Sequence, residues 1–394
     1  MQGLSITCDS EEKLSVVRSY EGHPDFDFLK VTRDLGTDVK ILVTADSVAH
    51  FKTVLSNNDI DYTVFVDNVA ENISQDYVAN EVARSKASRS KASGKPFSFY
   101  PRISEITAYL KGLAATNKFV TLLNIGESYE GRPIYGVKIS SGPGEKPAIL
   151  LDAGIHAREW IAPSTALFAI HQLVSNKTNS VLLENVDWYI IPSLNPDGYE
   201  FTHSSYRLWR KTRSPTSGSN CFGADPNRNF DMHWMTVGAS DYPCSDTYAG
   251  NKPFSEPETA ALRDFVLANK KSIKLYLTLH SYGQYMLHPW GYTSDLPANE
   301  PLLRALAVKA EEALHSVHGT SYTIGSSTNV LYAAAGGSDD WVMGVGEVPL
   351  SYTIELPGGG TYGFNPPPSY IEPVGTETFE AFRVFAEYVA ATYV

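Results

Sequence analysis

The sequence predicts an α/β protein: a mixed, largely parallel twisted sheet flanked by helices, preceded by a small α+β open-faced sandwich. Three observations carry that expectation. From residue 97 onward, apolar runs suited to strands buried on both faces alternate with segments of helical periodicity. Residues 1–83 hold a shorter order of strands and helix, and residues 84–95, built only from Arg, Lys, Ser, Ala and Gly, divide the two parts.

Within residues 1–83, residues 13–20, 40–45 and 62–66 read as strands and residues 47–57 as an amphipathic helix. Residues 84–95 show no apolar periodicity and have nothing to bury, so they read as an exposed linker. That stretch is either a solvated joint or a trypsin-sensitive segment, with Arg84, Lys86, Arg89, Lys91 and Lys95 as candidate cleavage residues. Beyond it, residues 147–151, 188–191, 273–279 and 350–354 are strand-like runs. Ser255-Glu-Pro-Glu258 reads as a capping box opening a helix over 259–270, and residues 301–318 and 376–394 carry helical apolar stripes.

A chain of 394 residues with 43% hydrophobic and 19% charged side chains is globular in composition and long enough for two or three domains. Its formal charge of −12 argues against a nucleic-acid partner, and no apolar stretch is long enough for a membrane helix. The charge is unevenly spread. Residues 1–83 hold 6 basic against 15 acidic residues, residues 84–95 hold 5 basic and none acidic, and the remainder holds 21 against 29. A bridge between Cys221 and Cys244 would close a loop-like stretch and contribute about 3 kcal/mol; the pairing of Cys8 stays open. Such a bridge needs an oxidising compartment. The residues after Met1 show no secretory signal, so a leader already removed is expected. Asn72 and Asn176 begin Asn-X-Ser/Thr sequons, compatible with secretion.

Functional groups on a parallel sheet gather at the carboxyl ends of its strands. Each strand-like run here is followed by polar residues: Asp152-Ala-Gly-Ile-His-Ala-Arg-Glu-Trp160, Pro192-Ser-Leu-Asn-Pro-Asp-Gly198, His280-Ser-Tyr282 and Glu355-Leu-Pro-Gly358. His156 and Glu159 stand three apart, and His280 ends another buried-type strand. Two His and one Glu, with a fourth position for water, form a catalytic zinc set. Gly358-Gly-Gly-Thr-Tyr-Gly363 matches a dinucleotide fingerprint in letters only, because Phe364-Asn-Pro-Pro-Pro follows where a helix is required.

On these motifs the chain resembles, over almost its full length, a zinc metallocarboxypeptidase of the pancreatic procarboxypeptidase type, a carboxypeptidase B-like zymogen. Its two-His-one-Glu zinc set is familiar from carboxypeptidase A, so that assignment is a recognition. The resemblance implies one zinc per chain on His156, Glu159 and His280, with Glu355 as general base and Arg210 stabilising the oxyanion. It implies that Asn227 and Arg228 clamp the substrate carboxylate, Tyr332 closes over it, and Arg158 and Tyr282 line the cleft, while Asp225 orients His156. Asp339 would lie on the pocket floor and select C-terminal Arg or Lys, beside Asp340, for which a helix N-cap is the alternative role. Gly291 and Ser327 depart from the mammalian B-type pattern and bear on the Arg versus Lys preference.

The resemblance further implies an inhibitory prodomain over 1–83, an activation segment over 84–95 and a catalytic domain over 96–394. The expected molecule is a secreted, extracellular monomer that acts on peptides ending in Lys or Arg. A trypsin-like protease would activate it and proteinaceous carboxypeptidase inhibitors would bind it; no membrane or nucleic-acid partner is expected. The alternatives are an A-type or broad-specificity carboxypeptidase and, more remotely, a non-catalytic peptide-binding module on the same fold.

Overall fold

The structure, a computed structural model, describes residues 1–30, 35–89, 98–142, 144–361 and 363–394. Strands β1 (Gln2–Thr7), β2 (Phe26–Lys30), β3 (Asp38–Val43) and β4 (Asp61–Val66) form an antiparallel sheet in the order β2-β3-β1-β4. Helices Glu11–Arg18 and Ala45–Asn57 cover one face, where Leu14, Val17, Phe51 and Leu55 pack on Leu4, Ile6, Val39 and Ile41. The other face is partly covered as well. Alternation turns Leu29, Leu42 and Val66 away from those helices and onto Leu208 and Phe364 of the main body.

Two expectations for this part are corrected. Residues 13–20 form no strand; helix Glu11–Arg18 occupies most of them. Ser10 caps it by accepting from the Lys13 N–H at 3.3 Å, Glu11 and Glu12 favour its positive end, and Leu14 and Val17 share one buried face. Strands β1 and β2 were not anticipated. Nor is the basic stretch a linker from its start, because helix Val69–Arg89 runs through Arg84, Lys86 and Arg89. Arg, Lys and Ala are good helix formers, and Arg84 is tied to the main body. Its guanidinium pairs with Glu105 and Glu81, donates to the Tyr100 carbonyl at 3.4 Å, and sits 4.6 Å from the centre of the Phe99 ring. Lys86 and Arg89 are exposed; Lys91 and Lys95 lie outside the described residues.

The main body is built on an eight-stranded mixed sheet. Its strands are β5 (Val120–Glu127), β6 (Pro133–Ile139), β7 (Ala148–Ala153), β8 (Asp187–Ile191), β9 (Ile273–Ser281), β10 (Tyr285–His288), β11 (Thr323–Ser326) and β12 (Leu350–Leu356), in the order β11-β10-β12-β9-β7-β8-β6-β5. The central run β12-β9-β7-β8 is parallel, as is β10-β11, and the remaining pairs are antiparallel. Both faces are buried, which explains the continuous apolar runs. Leu151 points to the core shared with helices Ile161–Ser175, Glu300–His318 and Ile371–Tyr393, while its neighbour Leu150 points to the core shared with Pro257–Asn269 and Ser338–Gly344.

The expected capping box at residues 255–258 does not form. Glu256 takes the N-cap position without a side-chain cap bond. The Ser255 hydroxyl donates to Glu256 at 2.9 Å, and Glu258 accepts the Tyr129 N–H at 3.1 Å. Cys221 and Cys244 form a disulfide, with Cα atoms 5.2 Å apart, while Cys8 is free and buried in the small sheet's core.

Candidate metal centre and active-site cleft

β7 and β9 are neighbours, so the loop that follows β7 and the end of β9 meet at one place. His156 and Glu159 come from that loop, just before helix Ile161–Ser175, and His280 from β9. All three are buried, and their ligand atoms lie within 4.8 Å of one another. His156 Nδ1 is 2.8 Å from Glu159 Oε1, His280 Nδ1 is 3.2 Å from Glu159 Oε2, and the two Nδ1 atoms are 3.1 Å apart. The Ser281 N–H donates to Glu159 Oε2 at 3.1 Å, fixing the carboxylate.

Asp225 decides which nitrogen of His156 faces inward. Although burial opposes its charge, Arg210 and His156 hold the Asp225 carboxyl well below the usual range, so it acts as an acceptor. The His156 Nε2–H therefore donates to it at 3.1 Å, which leaves the Nδ1 lone pair aimed at Glu159 and His280. Burial lowers the basicity of His156, and nearby Arg210 lowers it further. Two ring nitrogens and a carboxylate converging at hydrogen-bond distance fit a cation at their centre, and this donor set fits zinc.

Around this group the structure places the other candidates for catalysis and substrate binding. Arg210 donates through Nε and Nη2 to Asp225 Oδ2, at 3.1 and 2.8 Å. Glu355 lies half-buried on β12, where burial and then the Glu159 charge, against His280 and Arg210, raise its carboxyl to about 7. The Asn227 Oδ1 accepts the Ser338 N–H at 2.9 Å, so its amide nitrogen is the end left to donate. Arg228 is braced by the carbonyls of Gly238 and Asn227, at 2.8 and 2.9 Å. Gly336, at φ +77°, passes so close that a Cβ there would stand 2.4 Å from the Arg228 carbonyl oxygen. Tyr332, Tyr282, Gly291 and Ser327 line the same cleft.

Asp339 and Asp340 begin helix Ser338–Gly344 and are both buried, but they do different things. Asp340 accepts the Gly291 and Tyr292 N–H groups at 2.9 and 3.1 Å and so tethers a loop; the N-cap position belongs to Gly337. Asp339 lines the cleft and accepts the Thr353 hydroxyl at 3.1 Å.

Several contributors were not singled out from sequence. Asp27 on β2 takes the Arg158 guanidinium at 2.8 and 2.9 Å, so the first unit occupies a residue expected to line the substrate cleft. The Tyr276 hydroxyl donates to Asp152 at 2.5 Å and lies 3.0 Å from the Ser338 hydroxyl, linking β7 and β9 to the start of the Asp339 helix. No local motif announces these contacts, since their partners are 62 to 131 residues apart.

Comparison with known proteins agrees with this geometry. Residues 106–381 match the zinc carboxypeptidase family model and residues 4–76 the carboxypeptidase activation peptide. Carboxypeptidase B of Astacus astacus is 52% identical over 297 residues, 75% of this chain and 98% of that protein. The crystal structure of carboxypeptidase A from Helicoverpa armigera superposes with a TM-score of 0.92 at 33% identity, covering 99% of this chain and 98% of that one. Bovine thrombin-activatable fibrinolysis inhibitor, in complex with tick carboxypeptidase inhibitor, superposes with a TM-score of 0.71 at 38% identity over 75% of this chain and 98% of that one. With the metal-binding group and both family segments in place, the chain belongs to the zinc carboxypeptidase family and carries its activation peptide.

Proposed function

We propose that this is a secreted zymogen whose activated form removes C-terminal Arg or Lys from peptides. In this reading residues 1–83 are the inhibitory prodomain, residues 84–95 the segment cut by a trypsin-like protease, and residues 96–394 the catalytic domain. The observation that carries the specificity is Asp339. It is buried at the cleft with a hydroxyl for its described side-chain partner, and a buried carboxylate is costly until a cation meets it. A terminal Arg or Lys side chain supplies that cation.

Zinc on His156, Glu159 and His280 would polarise the scissile carbonyl and lower the pKa of a bound water. The remaining work falls to the chain's own residues. Asn227 and Arg228 bind the terminal carboxylate, Arg228 as a fixed planar cation. Arg210, oriented by Asp225, offers positive charge where negative charge develops. Glu355, with its carboxyl raised toward neutrality, takes a proton from water and returns it to the leaving amine. Tyr332 covers the bound end of the substrate.

The placement of the first unit supports latency. Asp27 occupies Arg158, and Leu29 and Val66 pack on Phe364, so the prodomain lies over the cleft's rim. The activating cut falls beyond Arg84, which is held in a helix and paired with Glu105. The neighbour bound to a tick inhibitor supports inhibitor proteins as partners of the activated form. After trypsin treatment and repurification, release of C-terminal Arg should exceed release of Phe, and Asp339→Ala should reverse that order. Equal rates on both substrates would sink the specificity claim.

A further inference from the structure

The geometry points to Asn176 as an N-glycosylated residue and to the second sequon, Asn72, as one that stays bare. The inference rests on the secretory reading above.

The Asn176 side chain is set by its own sequon. Its Oδ1 accepts both the Thr178 N–H at 3.1 Å and the Thr178 hydroxyl at 2.8 Å. Its Nδ2 donates to Gln172 Oε1 at 3.1 Å on an exposed surface. These bonds span four residues or fewer, so the unfolded chain can form them without the rest of the fold. A carboxamide has two N–H bonds; glycosylation consumes one and leaves one for Gln172. Asn72 differs in its partners and in its local backbone. It lies in the first turns of helix Val69–Arg89, where residues i and i+2 do not face each other, so forming the helix takes Ser74 away from its amide oxygen. Its Nδ2 instead donates to Thr361 Oγ1 at 2.9 Å across the junction between the two units.

Position separates the two sites as well. Helix Ile161–Ser175 leaves the metal centre and returns antiparallel to β7 before the parallel strand β8 begins. Its 15 residues span about 22 Å. Asn176 therefore sits toward the amino ends of the parallel strands, away from the cleft at their carboxyl ends, and is exposed there, with room for a bulky polar glycan. A glycan on Asn72 would stand at the contact between the prodomain helix and Thr361.

In the transfer, Asn176 Nδ2 bonds to the anomeric carbon of an oligosaccharide carried on a polyprenyl diphosphate in the secretory lumen. One amide proton is lost, and the diphosphate leaves with the electrons of the broken C–O bond.

The test is peptide mapping of the full chain collected from the medium of a eukaryotic host, expressed behind a heterologous leader and treated with peptide-N-glycosidase in heavy-oxygen water. The peptide holding residue 176 should show Asn converted to labelled Asp, and the peptide holding residue 72 should not. Thr178→Ser should keep the label and Thr178→Ala should lose it. An unmodified residue 176, or equal labelling at residue 72, overturns the inference. The same digests report the Cys221–Cys244 bridge; an intact bridge beside a bare Asn176 would leave the secretory reading standing while this one fails.

Discussion

Glu355 and His280 are register partners on the adjacent parallel strands β12 and β9. The proposed base thus stands beside the metal-binding group without being part of it, at a separation set by sheet spacing. Glu355→Gln should lower kcat by about two to four orders of magnitude, the usual range for loss of a general base. Zinc content, measured by elemental mass spectrometry, should stay at one per chain. A variant that loses its zinc would make Glu355 a ligand support instead.

Asp225 should act through His156. Asp225→Asn replaces an ionised acceptor that holds Nε2–H and should weaken zinc binding by about 10- to 100-fold, read by competition with a chelator. Unchanged affinity would mean that packing alone orients the ring.

Asp27→Asn should loosen latency, because it removes a half-buried charged partner from the buried Arg158 while leaving the apolar contact of Leu29 and Val66 in place. Hydrolysis of a small Arg-terminated peptide by the uncut chain should rise by about tenfold or more, a change that needs only ~1.4 kcal/mol. No increase would assign the block to the apolar cover.

Limited trypsin treatment should yield no early product beginning at Ser85, because Arg84 is engaged by Glu105 and Glu81 within a helix. Amino-terminal sequencing of the first products checks this. Arg84→Lys, which loses the planar fork, should expose the helix end and speed activation.

Glu258 gives the stability a pH dependence away from the metal. Burial raises its carboxyl from an ordinary value near 4.5 to about 8. The folded state then holds a proton that the unfolded chain releases, so its contribution is full below about 4.5 and is lost as pH rises toward 8. Glu258→Gln should flatten the dependence of Tm on pH across that window, as followed by calorimetry; an unchanged slope would place the titration elsewhere.

How much of this was legible in sequence depended on how local each signal is. The central strands could be read because burial on both faces forces uninterrupted apolar runs, as Leu150 and Leu151 show by serving opposite cores. Residues 13–20 misled because Leu14 and Val17 suit a strand as readily as a helix until the Ser10 cap is seen. The start of the basic stretch misled because composition cannot reveal that Glu105, 21 residues away, will hold Arg84 in a helix.

The sequence by itself determined the side-chain types on offer: imidazoles and a carboxylate able to hold a metal, a further carboxylate able to move protons, and guanidinium groups of fixed charge, since these follow from residue identity and from positions at strand ends. Only the tertiary structure decided how they meet. Parallel pairing of β7 with β9 and of β9 with β12 sets His156, His280 and Glu355 side by side, and packing of the small sheet brings Asp27 to Arg158. Register and docking are long-range outcomes of buried apolar surface, written across hundreds of residues and not in any one motif.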